Sequence, residues 1–343
     1  ANTAVGLGAL DANTTADYNT AVGYAALLSN TTGTRNTAVG YSALDANTTD
    51  TDNTAVGYNA LTALSGAYYS VAVGTLAGED VTTGINNTFL GYASGKNTTT
   101  GANNVAIGSA SFDGNTTASD NIAIGLDALG GSNTSSNNIA IGSGAMGANT
   151  GGSAVAIGKD ALSQNSTGGS HVAIGYKALE QNTTASNNVA VGLSSLAANT
   201  TGHENTALGG TTLSANTTGS NNTAIGYSAL NDNTTGGRNV AIGNYAFDTQ
   251  STSGSYNVGV GYAVGDSATT AQGLTLIGDV AGDAITTSSG CTVVGQSALS
   301  THATGSANTA VGKTALTDCT NGDNTAVGHE AGLAVTACYN NTL

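Results

Sequence analysis

Ala4-Val5-Gly6 is the stretch of sequence that determines the fold, because it recurs along the whole chain. It returns as Ala21-Val22-Gly23 and Ala38-Val39-Gly40, and it is still present at Ala326-Val327-Gly328. With its glycine taken as the anchor of each unit, the chain contains twenty units, and sixteen of the nineteen spacings between successive anchors equal the step from Gly6 to Gly23. So short a period held throughout is typical of a solenoid, in which each unit packs on its neighbours.

The consensus of a unit is Asn-Thr-Ala-Val-Gly-Tyr-x-Ala-Leu-x-x-Asn-Thr-Thr-Gly-x-x. The residues before the anchor alternate as in a β-strand, and the glycine content is too high for stable helices. Proline is absent, so nothing in the composition interrupts a sheet ladder. The sequence therefore predicts an all-β fold, a parallel β-solenoid (β-roll or β-helix) of about twenty 17-residue coils, with residues 1–343 as a single repeat domain.

The alternation also predicts which side chains lie inside, when positions are counted from the anchor glycine. Position −1 is Val, Ile or Leu and position −3 is Thr, Val or Ile in every unit. Side chains two apart on a strand share a face, so we assign these two positions, Ile141 among them, to the interior. Position −2, which is Ala in sixteen units, then lies on the opposite face, where small residues favour close packing against another surface.

Position +4 carries Leu, Phe or Met in fifteen units and Gly in the other five. In three of those five units an aliphatic residue stands three positions later, as Val81, Ile285 or Val335, where most units have Asn. The exchange indicates that positions +4 and +7 share interior volume.

Asparagine recurs in two columns with different interpretations. At position −4 it occurs in fifteen units, which predicts a ladder of stacked amides along the solenoid. At position +7 it opens the turn Asn-Thr-Thr-Gly, which also forms Asn-x-Ser/Thr sequons. Exposed turns in an extracellular protein make these sites candidates for N-glycosylation, whereas an inward-pointing Asn that serves the turn alone is the alternative. The candidate sites are Asn13, Asn30, Asn47, Asn115, Asn165, Asn182, Asn199, Asn216 and Asn233.

Composition excludes several partners. The net charge of −15 argues against nucleic acid and against an anionic membrane surface, and no apolar run approaches the length of a membrane span. The three cysteines, Cys291, Cys319 and Cys338, gather in the last four units and are candidates for a disulfide of unknown pairing. A disulfide indicates an oxidising compartment, and isolated buried thiols are the alternative.

We expect no metal, no cofactor and no catalysis. The four histidines occupy four different columns, and Cys/His ligand spacings are absent. Aspartate recurs at position +5, but too sparsely for a continuous column of ions. Its occurrences are Asp11, Asp45, Asp113, Asp248, Asp266 and Asp283.

Three strings carry a resemblance to a known family, namely Asn138-Ile139-Ala140-Ile141-Gly142, Asn188-Val189-Ala190-Val191-Gly192 and Asn239-Val240-Ala241-Ile242-Gly243. They resemble the repeated motif of the YadA-type head domains of trimeric autotransporter adhesins, and the Asn-Thr-Ala-Val-Gly-Tyr units are similar to repeats of phage tail fibres and bacterial surface proteins. The resemblance implies a left-handed parallel β-roll that forms homotrimers, projects from a cell surface and binds host glycans or proteins.

These observations predict a structural, adhesive subunit of an extracellular or cell-surface fibre. The repeat is already in phase at Ala1 and again at Asn340-Asn341-Thr342-Leu343, so both ends are expected to be uncapped and the subunits to extend end to end. An ice-binding β-solenoid, a phage tail-fibre shaft and a glycan-acting enzyme are the alternatives. Columns of threonine on a flat sheet favour ice binding.

Overall fold

The chain forms two compact units in the computed structural model, Ala1–Ser170 and His171–Leu343. The structure describes residues 1–131, 134–249, 254–301, 304–336 and 339–343. Each of these two compact units, which are distinct from the twenty sequence repeats, contains ten short parallel strands joined by tight turns. None of the residues described is helical. The organisation of residues 1–343 as a single domain stays a prediction.

Every strand covers positions −3 to −1 of its sequence unit, immediately before the anchor glycine. The first unit contains β1 (Thr3–Val5), β2 (Thr20–Val22), β3 (Thr37–Val39), β4 (Thr54–Val56), β5 (Val71–Val73), β6 (Thr88–Leu90), β7 (Val105–Ile107), β8 (Ile122–Ile124), β9 (Ile139–Ile141) and β10 (Val155–Ile157). The second contains β11 (Val172–Ile174), β12 (Val189–Val191), β13 (Thr206–Leu208), β14 (Thr223–Ile225), β15 (Val240–Ile242), β16 (Val258–Val260), β17 (Thr275–Ile277), β18 (Thr292–Val294), β19 (Thr309–Val311) and β20 (Thr325–Val327).

Within each unit, every strand pairs in parallel with the next strand along the chain, and equivalent residues are partners. Thr20 faces Thr37, Ala21 faces Ala38, and Val22 faces Val39. The register is kept across the shorter step from β9 to β10 and the longer step from β15 to β16. The predicted all-β parallel solenoid with its 17-residue repeat is therefore confirmed.

The backbone conformation at the anchor position requires glycine. At Gly40 φ is 143°, in a region that residues with a side chain rarely adopt, and a Cβ there would lie 2.2 Å from the carbonyl oxygen of Gly57 in the next coil. Further turning comes from left-handed residues at three other positions, such as Ala25, Leu27 and Arg35 with φ of 54°, 52° and 60°. These bends allow the chain to close one coil within a single repeat.

The turns are stacked as regularly as the strands. The Leu27 amide donates to the Ala43 carbonyl at 3.0 Å, and the Thr31 amide donates to the Thr48 carbonyl at 2.9 Å. Backbone groups outside the strands thus find partners one coil away. This satisfies polar groups that would otherwise be costly to bury.

The strand faces are the reverse of our sequence-based assignment. Position −2 is fully buried from Ala21 to Ala326, whereas positions −3 and −1 are half-buried or exposed, with Leu90 46% and Ile277 42% exposed. The predicted alternation of buried and outward side chains is correct, but the assignment of the two faces is wrong. Ile141, which we assigned to the interior, lies on the outer face, and Ala140 beside it is buried.

The reason is the narrow interior of so short a coil. Leu at position +4 is buried, as predicted, and fills most of the space opposite the strand, so position −2 is usually the small residue Ala. Where Phe89 replaces that Ala, the neighbouring +4 positions are Gly78 and Gly95. A Cβ on Gly95 would lie 2.3 Å from the Phe89 ring. Val81 and Ile285 are also buried, as the exchange between positions +4 and +7 predicts.

The asparagine ladder at position −4 is confirmed and lies inside. The Asn19 Oδ1 accepts the backbone amide of Asn36 at 2.9 Å, and the Asn36 Oδ1 accepts the amide of Asn53 at 3.0 Å. The Asn36 Nδ2 donates to the Asp50 carbonyl at 2.7 Å, across the coil. Each amide side chain therefore joins its own turn to the next strand.

Candidate interaction surface

The outer strand face, defined as positions −3 and −1 of the strands, is the most regular surface of each unit. Its side chains come only from Thr, Val, Ile and Leu, and no charged residue occurs at either position in any strand. Equivalent residues of neighbouring strands lie about 4.8 Å apart. The result is an uncharged array of mostly β-branched side chains, although the chain carries a net charge of −15.

The array is most apolar where both positions are aliphatic. In the first unit this holds for β5, in which Val71 is 40% exposed, and for β7 to β10, in which Ile157 is 36% exposed. In the second unit it holds for β11, β12, β15 and β16, in which Ile242 is 37% exposed. Elsewhere threonine occupies position −3, as in β2 to β4. Contiguous exposed apolar surface of this kind marks an interaction site more often than a solvated face.

Tyrosines at position +1 lie after the strands and stack on one another. The rings of Tyr24 and Tyr41 have centroids 5.0 Å apart and an interplanar angle of 14°, and those of Tyr41 and Tyr58 are 5.3 Å apart at 18°. About half of each side chain is exposed. Because each ring covers the face of its neighbour, this column packs along the flank and offers few open ring faces to a sugar.

The nine candidate glycosylation sites point inward. Eight of these asparagines are buried and Asn13 is half-buried. The Asn216 Nδ2 donates to the Asn199 Oδ1 at 2.8 Å and to the Gly219 carbonyl at 3.0 Å, which uses both of its hydrogens. Asn233 bonds to Asn216 and Gly236 in the same way. The turn thus contains a second amide ladder. Glycosylation stays a prediction, and it would replace one of the two Nδ2 hydrogens that these bonds use.

The cysteines differ from one another. Cys291 occupies position −4 of its unit, where most units have Asn, and it is a free thiol, fully buried; burial raises the pKa of that thiol. Cys319 is buried and disulfide-bonded. Cys338 lies outside the described residues. Of the two candidate cysteines that the structure describes, Cys319 forms a disulfide and Cys291 does not.

Half-buried carboxylates at position +5 have perturbed acidity. Burial raises the pKa of Asp45, Asp113, Asp266 and Asp283. Burial, with repulsion from Asp266 and Asp232, raises the pKa of Asp248 to about 6. Across the part of the chain that the structure describes, no group of three or more His, Cys, Asp or Glu residues is arranged to hold a metal ion.

Sequence reasoning missed the outer strand face because it placed these aliphatic residues in the core. A usable signal was present in the sequence. The only Phe in the position −2 column is Phe89, and Gly occupies position +4 both in its own repeat, as Gly95, and in the preceding repeat, as Gly78. Compensation of volume between positions −2 and +4 means that they touch, which places position −2 inside and position −1 outside.

Comparison with protein-family models, curated proteins and solved structures gives no significant match. Among the described residues there is no helix long and apolar enough to cross a membrane. The fold and the surface define the chain as a β-solenoid repeat protein, an architecture that fits a structural role.

Proposed function

We propose that this chain is a structural subunit of an extracellular fibre and that copies of it associate side by side through the outer strand face. The observation that carries the proposal is the run of outward Val, Ile and Leu side chains at positions −3 and −1. Burying such side chains against another copy would contribute about 25 cal/mol for each Å² of apolar surface removed from water.

A second copy is the partner that suits this surface best. Sheet faces pack about 10 Å apart and require matched side-chain spacing. Another copy supplies the same strand spacing and the same uncharged columns, so a symmetric contact repeats the same favourable pairs along its length. The resemblance to trimeric head domains supports three copies around one axis. Charged residues on the other surfaces would keep the assembled fibre soluble.

Two features support a structural, extracellular role over catalysis. Nearly every side chain in the core and on the outer strand face belongs to a column that repeats from coil to coil, whereas an active site needs a local departure from the repeat. The disulfide at Cys319 suits an oxidising compartment. Binding of host glycans or proteins would add an adhesive role to the same fibre.

The proposal is tested by sedimentation velocity of the full chain over a wide range of concentrations. Ile124 lies on the outer strand face, and the exposed Thr117 on the preceding turn is the matched control, because both variants add one carboxylate to a surface. We expect the parent and the Thr117→Asp protein to associate. The Ile124→Asp protein should sediment as a monomer with an unchanged circular dichroism spectrum.

A parent chain that stays monomeric at every concentration would contradict the proposal, and so would an Ile124→Asp protein that assembles like its parent. The alternative of ice binding rests on the outward threonines of β2 to β4, which are in register. Thermal hysteresis in the monomeric protein would favour that alternative.

A further inference from the structure

The second unit contains a polar cleft on the turn that precedes strands β14 to β16. Its volume is about 260 Å³, and its lining includes Thr218, Ser220, Asn221, Arg238, Ser255 and Tyr256. A space of this size is smaller than the pockets that hold drug-sized molecules, which begin at about 300 Å³, so it suits one small ring. The cleft adjoins the step from Gly243 to Gly261, which is longer than any other between successive anchors.

The cleft is organised by an arginine whose charge is not neutralised. The Arg238 Nη1 donates to the Tyr256 hydroxyl at 2.8 Å, and its guanidinium carbon lies 5.4 Å from the centre of the Tyr256 ring. Among the described residues, no carboxylate lies within ion-pair distance of Arg238. The tyrosine therefore holds the guanidinium in place and leaves most of its donors for another group.

The chain provides a direct comparison at the same position of another coil. Arg35, like Arg238, stands five residues before its anchor glycine, but the next coil supplies Asp52 instead of a tyrosine. The Arg35 Nε and Nη2 donate to the two Asp52 carboxylate oxygens at 2.6 and 2.8 Å. That bidentate pair uses the donor edge that an external anion would need. Arg238 keeps this edge open.

The remaining groups of the cleft suit a sugar. Tyr256 is 57% exposed, and aromatic rings pack well against the C–H faces of sugar rings. Asn221 is exposed, and its side-chain amide makes no hydrogen bond to a described residue. Hydroxyl groups of serine and threonine complete the rim. An aromatic face, an open guanidinium and neutral hydrogen-bonding groups together select a ring that carries both hydroxyls and a carboxylate.

We propose that the Arg238–Tyr256 cleft binds a carboxylated saccharide, with the carboxylate on Arg238 and the sugar ring against Tyr256. This site is separate from the outer strand face and does not depend on self-association. A second cleft of about 280 Å³ in the same unit contains Tyr339 with Asp323 in place of an arginine. Its negative charge should exclude the same ligand. The net charge of −15 also keeps non-specific binding of anions low.

The test is calorimetric titration of the full chain with a trimer of galacturonic acid and with the neutral trimer of galactose. We expect the acidic trimer to bind at least tenfold more tightly than the neutral one. Arg238→Gln should abolish this preference, and Tyr256→Ala should weaken binding of the acidic trimer. Arg35→Gln is the matched control and should leave binding unchanged, because Arg35 is paired with Asp52.

Several results would overturn the proposal. These are an absence of measurable binding to the parent protein, an equal loss in the Arg238→Gln and Arg35→Gln proteins, and full displacement of the trimer by an equal concentration of acetate. The last would reduce the site to a simple carboxylate contact. Circular dichroism establishes that each variant is folded, and the Tyr256→Ala protein gives a second measurement if the Arg238→Gln protein is not.

Discussion

At the scale of single residues, His171 is the clearest departure from the asparagine ladder. It occupies position −4 and is buried. Its Nδ1 accepts the backbone amide of Asn188 at 3.3 Å, and its Nε2 lies 2.8 Å from the Ala185 carbonyl. An amide can only donate, so Nδ1 is unprotonated and Nε2 carries the hydrogen. The neutral imidazole thus reproduces both bonds of an asparagine.

Protonation of His171 would remove the acceptor at Nδ1, and burial already lowers the pKa of this imidazole. A lowered folded-state pKa means that the unfolded chain binds the proton more readily. The stabilisation that neutral His171 contributes is therefore complete above the unfolded pKa of about 6.5 and is lost as the pH falls through the lower pKa of the folded chain.

We predict that His171→Asn reduces the loss of stability on acidification, because asparagine restores the ladder without a titratable group. The measurement is the melting temperature of the parent and the variant from pH 7 to pH 4, with the exposed His203→Asn as control. The quantity compared is the difference in melting temperature between the parent and the variant at each pH. The aspartates at position +5 have raised pKa values in the folded chain, so their protonation adds stability as the pH falls, equally in both proteins. Equal slopes for the parent and His171→Asn would rule out this role.

At the scale of the coil, the interior is a fixed volume divided between positions −2 and +4. The Phe89 ring occupies the volume that leucine at position +4 fills in other coils, and Gly78 and Gly95 have no side chain there. Phe247 shows the converse exchange among β15 to β17, because it stands at position +4 and its ring adjoins Gly259 at position −2 and Gly265 at position +4 of the next coil. The exchange crosses from one coil to the next, so the unit of packing is a pair of neighbouring coils.

A double-mutant cycle on Phe89 and Gly95 measures this coupling. Gly95→Leu alone should cost about 1–3 kcal/mol through overpacking, and Phe89→Ala alone about 3–5 kcal/mol through the cavity that it leaves. Together they recreate the common Ala and Leu pair, so the double variant should be less destabilised than the sum of the two. Chemical denaturation gives the free energies of unfolding, and strict additivity would contradict shared volume.

Sequence reasoning recovered the features of the coil that depend on pattern. The period, the strands, the buried leucine at position +4 and the Asn36 ladder followed from recurrence alone. It assigned the two strand faces to the wrong sides. The alternation of Ala140 and Ile141 is the same whichever of them is inside, and the narrow cross-section of the coil determines which one is buried. It could not place Arg238 beside Tyr256, since that contact requires the register across the longest step between anchors.

At the scale of the whole molecule, the observed strand faces are the basis of the proposed self-association. With Val, Ile and Leu outside, each compact unit presents an uncharged, regularly spaced face, which is the surface that the proposed self-association would bury. With those residues inside, the outer strand face would have been mostly alanine, and a contact there would rest on close approach of small residues rather than on burial of Val, Ile and Leu. The claim that these columns face outward and are covered on association is therefore central.

Thiol accessibility tests that claim most directly, with single cysteines introduced by Ile124→Cys, Ala123→Cys and Thr117→Cys and the parent protein as background. Each variant is treated with a maleimide below and above the concentration at which the parent associates. The structure predicts that the Thr117→Cys protein reacts at both concentrations and the Ala123→Cys protein at neither. The Ile124→Cys protein should react when dilute and be protected when associated. Faster reaction of the Ala123→Cys protein than of the Ile124→Cys protein, or an Ile124→Cys thiol that stays reactive after association, would contradict the account.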